Sequence, residues 1–370
     1  MGHRNLPIAI AALLTIALVP GTGAAGQSEK VAERPSAKAD VATQFRTAWG
    51  DPDIEGIWGS GYIETPIERP DSFNGREFLT DDDARSEQKR LNDKQDHSTG
   101  GTKPTAAPEG DPRPVDFQPY NTAWSGRGRE VIRTRRTSQI IDPGNGKIPW
   151  KAGVDPRRVP AVKAVGRAAP DAFGGEFAGT GGAGSERANP EDLGSERCLG
   201  LMLPVRFGDI ETGGAHQRIV QSPGLISIYY EYGPHGGAYR TIWLDGRAHL
   251  PSGLQQWLGD SVGRWEGNTL VVDTTNFTDR TPFWGAREQL HLVERFVRTA
   301  PDLVMYYATI EDPTVYARPW TIEIPLTLKN GKANQIYESA CHEGNYGLTG
   351  ILAGARAKER ETVARKSAKP

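Results

Sequence analysis

Thiols are nearly absent from this chain: 370 residues hold two cysteines, Cys198 and Cys341. So few exclude a disulfide-dense scaffold and any thiolate-rich metal cluster. Charge of one sign is also missing, since 44 basic and 46 acidic side chains leave a formal net charge of −2. A nucleic-acid binder needs a dominant basic face, and none is available. After residue 20 no apolar run approaches the roughly 20 residues that a spanning helix requires. Neither H-E-x-x-H nor C-x-x-C occurs, and His216, His235, His249, His291 and His342 are scattered. No metal and no cofactor are therefore expected; only strand-borne ligands converging from distant positions would make a metal site. What is abundant is glycine, 44 residues, and proline, 27, the composition of a loop-rich folded protein.

Residues 1–25 read as an export signal, with Arg4 as the charged start and Leu6 to Pro20 as the apolar stretch. Gly23-Ala24-Ala25 supplies small residues for cleavage. The expected location is the periplasm or the exterior. In that oxidising setting Cys198 and Cys341 are a candidate disulfide, worth on the order of 4 kcal/mol for a long loop, against two separate buried thiols. Residues 26–45 form a polar leader, 46–356 a single domain and 357–370 a polar tail.

Within the domain, residues 46–215 read as an irregular wrap. Thr80 ahead of Asp81, Asp82 and Asp83 starts a helix, which should end near Leu91. Short strands are expected at Gly56–Trp58 and Ser138–Asp142, and a second helix over 155–169. Gly179-Thr-Gly181-Gly-Ala-Gly184 spells a dinucleotide pattern, but no strand precedes it and no helix follows, so low complexity accounts for it.

From His216 the pattern changes to short strands separated by turns: 218–221, 225–232, 239–245, 269–277, 291–298, 303–311, 321–328 and 335–342. Strands at such intervals without helices between them indicate an antiparallel meander, and about eight close into a barrel. The fold class is thus mainly β, a lipocalin-like barrel with few short helices. A short final helix is expected over 345–356. In 321–328, Ile322, Ile324, Leu326 and Leu328 share one face. In 291–298 both faces mix charge with apolar bulk, so some charge must point inward, where it costs several kcal/mol unless paired.

Several motifs carry a resemblance. Asp53-Ile-Glu-Gly-Ile-Trp58, Glu196-Arg197-Cys198, Trp257-Leu-Gly-Asp260-Ser, Val272-Asp273-Thr-Thr-Asn276-Phe277, His291-Leu-Val-Glu294-Arg295-Phe296 and Ala340-Cys341-His342-Glu343-Gly-Asn345-Tyr346 resemble a large family of uncharacterised exported bacterial proteins. The resemblance spans roughly residues 50–356 and implies export of one continuous unit, without assigning catalytic roles. Gly56-Ile-Trp58 also looks like the G-x-W opening of lipocalin barrels.

Candidates for chemistry follow from residue type. His342 suits proton transfer, with a carboxylate from another strand, Glu294 or Asp273, as its partner. A histidine capping the barrel end is the competing reading. Asp273 interrupts an apolar strand and invites an arginine, Arg264 or Arg295; a plain ion pair there is the simpler interpretation. Arg295, Trp243, Tyr229, Tyr306 and Trp320 are candidate ligand-binding residues, although bulky aromatics also fill barrel cores. The expected function is an exported cofactor-independent enzyme, a lyase, isomerase or hydrolase, acting on a small organic molecule through acid–base residues inside the barrel. The alternative is a non-catalytic periplasmic binding protein of lipocalin type, and neither reading involves nucleic acid or a membrane span.

Overall fold

Ten strands form one sheet in the computed structural model, and nine of them close on themselves. The structure describes residues 45–59, 65–98, 131–154, 203–204, 216–231, 238–279, 283–329, 336 and 347–367. The strands are β1 (Gly56–Gly59), β2 (Ile140–Asp142), β3 (His216–Ser222), β4 (Leu225–Tyr230), β5 (Ala238–Trp243), β6 (Asp260–Glu266), β7 (Thr269–Thr275), β8 (His291–Ala300), β9 (Leu303–Glu311) and β10 (Trp320–Leu328). Their order is β1-β3-β4-β5-β6-β7-β8-β9-β10, and Trp58 opposite Leu328 joins β1 to β10. The fold is mainly β, a closed lipocalin-like barrel.

The closure differs in detail from a meander over 216–342. β1 comes from the N-terminal half and seals the barrel between β10 and β3. β2, also from that half, pairs with β10 at Thr321 and Ile322. The segment 260–266, not anticipated as a strand, is β6. Residues 335–342 lie outside the described residues except for Ile336, which belongs to no strand. The one non-antiparallel neighbour pair is β5 with β6, joined by Trp243 opposite Val262 alone. The chain between them, 244–259, therefore crosses over instead of turning back in a tight hairpin. Gly263 permits the crossing, because a Cβ there would sit 2.7 Å from both Ile242 Cγ2 and Leu244 Cδ2.

Alternation fixes the wall. Ile226 and Ile228 of β4, Leu270 and Val272 of β7, and Ile322, Ile324 and Leu326 of β10 all point inward and are buried. One end is filled by Phe283, Tyr316 and Trp320, with the Tyr316 and Trp320 rings 5.5 Å apart, edge to face. At the end carrying the β3–β4 and β8–β9 turns, the segment 45–55 closes the barrel. There Gln221 Oε1 accepts the Ile54 N–H at 2.6 Å, and Trp58 Nε1 donates to the Ile54 carbonyl at 2.8 Å. Arg298 lies over the rings of both Phe45 and Trp58.

Two α-helices and one short 3-10 turn (Asp71–Phe73) complete the described chain, the α-helices being α1 (Asp81–Ser98) and α2 (Gly347–Ser367). The α1 start is reciprocal: Thr80 Oγ1 accepts the Asp83 N–H at 3.1 Å, and Asp83 Oδ2 accepts the Thr80 N–H at 3.0 Å. Both helices outrun the sequence expectation. α1 continues to Ser98, and α2 covers most of the expected tail, because Ala-Arg-Ala-Lys-Glu-Arg-Glu over 355–361 contains no breaker. Among the described residues no helix is long and apolar enough to cross a membrane. The expected helix over 155–169 and the glycine-rich stretch around 179–184 lie outside the described residues.

Candidate functional site

Strand parity sends the charged residues to opposite sides of the wall. β7 turns Leu270, Val272 and Thr274 inward, so Asp273 stands outside. β8 turns Leu292, Glu294 and Phe296 inward, which leaves His291, Val293 and Arg295 outside. Glu294 and Asp273, expected to share one interior, are thus separated by the sheet.

Inside, Glu294 belongs to a polar belt crossing β4 to β9. Arg240 Nη2 donates to Glu294 Oε2 at 2.5 Å and to Thr274 Oγ1 at 2.7 Å. Its Nε donates to Ser261 Oγ at 2.9 Å, and Nη1 reaches the Tyr230 hydroxyl at 3.3 Å. The Tyr306 hydroxyl donates to Glu294 Oε1 at 2.9 Å. Side chains of Arg240 and Glu294 are only 2 % and 1 % exposed. Burial alone would depress the guanidinium, but the Glu294 carboxylate and the Tyr230 hydroxyl outweigh it and hold Arg240 above its ordinary range. Burial pushes the Tyr230 phenol up to about 12, with Arg240 opposing and Glu294 reinforcing the shift. Tyr306 is driven well above its usual value by burial and by Glu294. With every member paired, this belt is a structural ion pair.

Gly259-Asp260-Ser261-Val262-Gly263 has the spelling of a nucleophile elbow. Ser261 nevertheless lies within β6, is 3 % exposed and bonds Arg240 and Thr274. An elbow serine needs a strand-to-helix turn that exposes its hydroxyl, and this one has neither.

Outside, β6 to β9 and the crossover assemble a row of alternating carboxylates and imidazoles. His249, carried by the crossover, places Nδ1 3.0 Å from Asp260 Oδ2 and Nε2 3.1 Å from Asp273 Oδ1. His291 places Nε2 3.1 Å from the same Asp273 oxygen, with Nδ1 3.5 Å from Glu311 Oε2. One carboxylate therefore bridges two imidazoles, and each imidazole is backed by a second carboxylate. The row is accessible, with His249 29 %, Asp273 34 % and His291 38 % exposed. Asp260 Oδ2 also accepts the Leu250 N–H at 3.0 Å, which ties the crossover to β6. Asn276, in the left-handed region at φ 59°, holds the same loop by donating from Nδ2 to the carbonyls of Leu250, Pro251 and Leu254. Asp273 thus has histidine partners, while Arg264 pairs with Glu266.

The other candidates scatter. Arg295 and Trp243 stand on the outer face, and the Arg247 guanidinium lies 3.8 Å from the Trp243 ring centroid. Tyr229 also faces out, its ring 4.6 Å from that of Tyr239, which is 76 % exposed. Tyr306 belongs to the internal belt, and Trp320 fills the core. His342, Cys198 and Cys341 lie outside the described residues. Sequence reasoning did not single out Arg240, His249, Asp260, His291 or Glu311 as site residues. Strand parity carried a signal for His291, which shares the outer face with Asp273 once β7 and β8 pair. No comparable signal existed for His249, whose place depends on the crossover.

No family model, curated protein or solved structure matches the chain.

Proposed function

We propose that the chain is an exported enzyme acting on a small organic molecule, and that the outer-face row around Asp273 is its acid–base centre. The observation that carries this reading is the sharing of Asp273 Oδ1 by His249 Nε2 and His291 Nε2. Imidazole exchanges protons near neutral pH, and a carboxylate between two rings lets one give up a proton while the other holds one. Asp260 and Glu311 orient the rings from behind, as a triad carboxylate orients its histidine. The reaction class is proton transfer at carbon or oxygen, as a lyase, isomerase or hydrolase requires, without a cofactor. Export rests on the N-terminal segment, and the resemblance to exported bacterial proteins agrees with it.

A second reading is a non-catalytic small-molecule-binding protein that uses the barrel interior. It is favoured by an inner wall that is mostly apolar, apart from the paired Arg240–Glu294 belt and the buried Gln217 and Gln221 of β3. One experiment separates the two. Purified protein is incubated with a small-molecule extract, and the mixture is followed by mass spectrometry alongside Asp273→Asn. The enzymatic reading expects a compound consumed by the native chain and spared by the folded variant. Equal consumption by both removes the row from catalysis, and stoichiometric capture without product supports the binding protein.

A further inference from the structure

We propose that the barrel interior binds one small neutral molecule through its carbonyl oxygen, which accepts hydrogen bonds from the Gln217 side-chain amide and the Tyr230 hydroxyl. The inference rests on the second reading above, interior binding, and deepens it by naming the ligand class. It is independent of the outer row around Asp273.

Two glutamines of one strand carry the argument. Gln217 and Gln221 both lie on the face that β3 turns inward. Gln221 is used at both ends: Oε1 accepts the Ile54 N–H at 2.6 Å, and Nε2 donates to the Pro52 carbonyl at 3.0 Å. Gln217 is 1 % exposed, yet among the described residues its Nε2 meets no acceptor. A buried donor left unmatched costs about 1–3 kcal/mol, which makes Gln217 the exception on this wall.

Directly opposite Gln217 stands Tyr230 of β4, 3 % exposed and on the same face. Side chains paired across two strands keep their Cβ atoms about 4.5–5.5 Å apart, close enough for one ligand atom to meet both. The Tyr230 hydroxyl accepts from Arg240 Nη1 at 3.3 Å. A guanidinium only donates, so this contact leaves the phenol its own hydrogen to give.

These donors select a ligand. A carbonyl oxygen offers two lone pairs on one atom and brings no hydrogen of its own. A water accepting from both groups would carry two more hydrogens towards Trp58, Ile219 and Ile228, the buried apolar neighbours on β1, β3 and β4. An anion would lack a counter-ion, because Arg240 is already matched by Glu294. The remainder of the molecule is therefore apolar. Eight-stranded barrels already accommodate one small ligand, and here nine strands close.

The test is NMR titration of the full chain with benzylacetone, and with butylbenzene as an apolar analogue that lacks the oxygen. The expected result is one-to-one binding of the ketone that shifts the Gln217 side-chain amide signals. Gln217→Met, an apolar side chain of similar size, should weaken the ketone about 3- to 10-fold and leave butylbenzene unchanged. Tyr230→Phe should weaken the ketone in the same direction. Without ligand, Gln217→Met should not lower the urea midpoint, since the amide it removes has no bond to lose. A lowered midpoint, or unchanged ketone binding by the folded variant, overturns the proposal. So does an ordered water only, detected by magnetisation transfer to the Gln217 amide that the ketone fails to abolish. If native chain and variant bind both compounds alike, the carbonyl contact falls while interior binding stands. If the native chain binds neither, both fall.

Discussion

Arg240 and Glu294 meet inside the barrel although their strands, β5 and β8, are separated by β6 and β7. The guanidinium reaches past the single backbone pair that joins β5 to β6 and bonds Ser261 and Thr274 on the way. Side-chain bonds thus supplement a seam at which the backbone ladder is nearly absent. Removing one partner leaves the other charge buried and uncompensated. Arg240→Met should therefore cost about 3–5 kcal/mol of stability, whereas Arg240→Met/Glu294→Leu should cost much less than the sum of the singles. Urea denaturation of the four proteins in the cycle measures this. A double variant as unstable as the sum would show that the two side chains do not act as a pair.

The same belt sets an alkaline limit. Tyr230 is pushed up to about 12 by burial, and Tyr306 also lies well above the usual range. An acid whose folded value is raised favours the native state fully below its unfolded value, near 10. That contribution declines as pH rises from about 10 through 12, because the unfolded chain releases the proton first. Burial raises Tyr307 and Tyr316 as well, so ultraviolet titration should show at least four phenols ionising late or only with unfolding, and Tyr230→Phe should flatten the loss of stability above pH 10. Complete phenol ionisation near pH 10 in the folded protein would exclude this arrangement.

At the acid end the start of α1 gives the opposite sign. Asp83 is held down to about 2 by its bond to Arg76, helped by the Thr80 backbone and hydroxyl. Its stabilising effect is complete above the unfolded value, near 4, and fades as pH falls from there through about 2, because the unfolded chain takes up the proton first. Carbon-detected NMR should find the Asp83 carboxyl ionised at pH 3. The amides of the first α1 turn should lose protection below that point, and in Asp83→Asn at every pH.

Much of this fold was legible in the sequence. Ile322, Ile324 and Leu326 revealed an inward face by alternation alone, and the mixed faces of 291–298 required charge inside, which Glu294 supplies. Trp58 marked the opening strand. Period-2 patterning could not tell which face of 269–277 looked inward, since Val271 and Val272 are both 0 % exposed. Asp273 was consequently expected in the interior, and it stands outside. The row was further hidden because His249 reaches Asp273 only through the crossover, whose course depends on the parallel β5–β6 contact. No local pattern encodes a contact made by one residue pair.

That crossover yields a last prediction. Gly263 sits where β6 passes β5, and a methyl group there would lie 2.7 Å from Ile242 Cγ2 and Leu244 Cδ2. Ile242 is fully buried and has no free space to yield, whereas Leu244 is only partly buried and can give way more easily. Gly263→Ala should thus cost about 1–3 kcal/mol, the range for overpacking a close contact. It should also displace the strand that carries Asp260, and with it His249, so the imidazole signals of His249 should shift in NMR spectra while those of His291 move less. Gly253, in the same crossover, has open space at its Cβ position. Gly253→Ala should be neutral or stabilising by a few tenths of a kcal/mol, since it only narrows the freedom of the unfolded chain. Equal destabilisation by the two substitutions would mean that the seam is looser than the contacts at Gly263 imply, and that the loop bearing His249 is held by Asn276 and Asp260 alone.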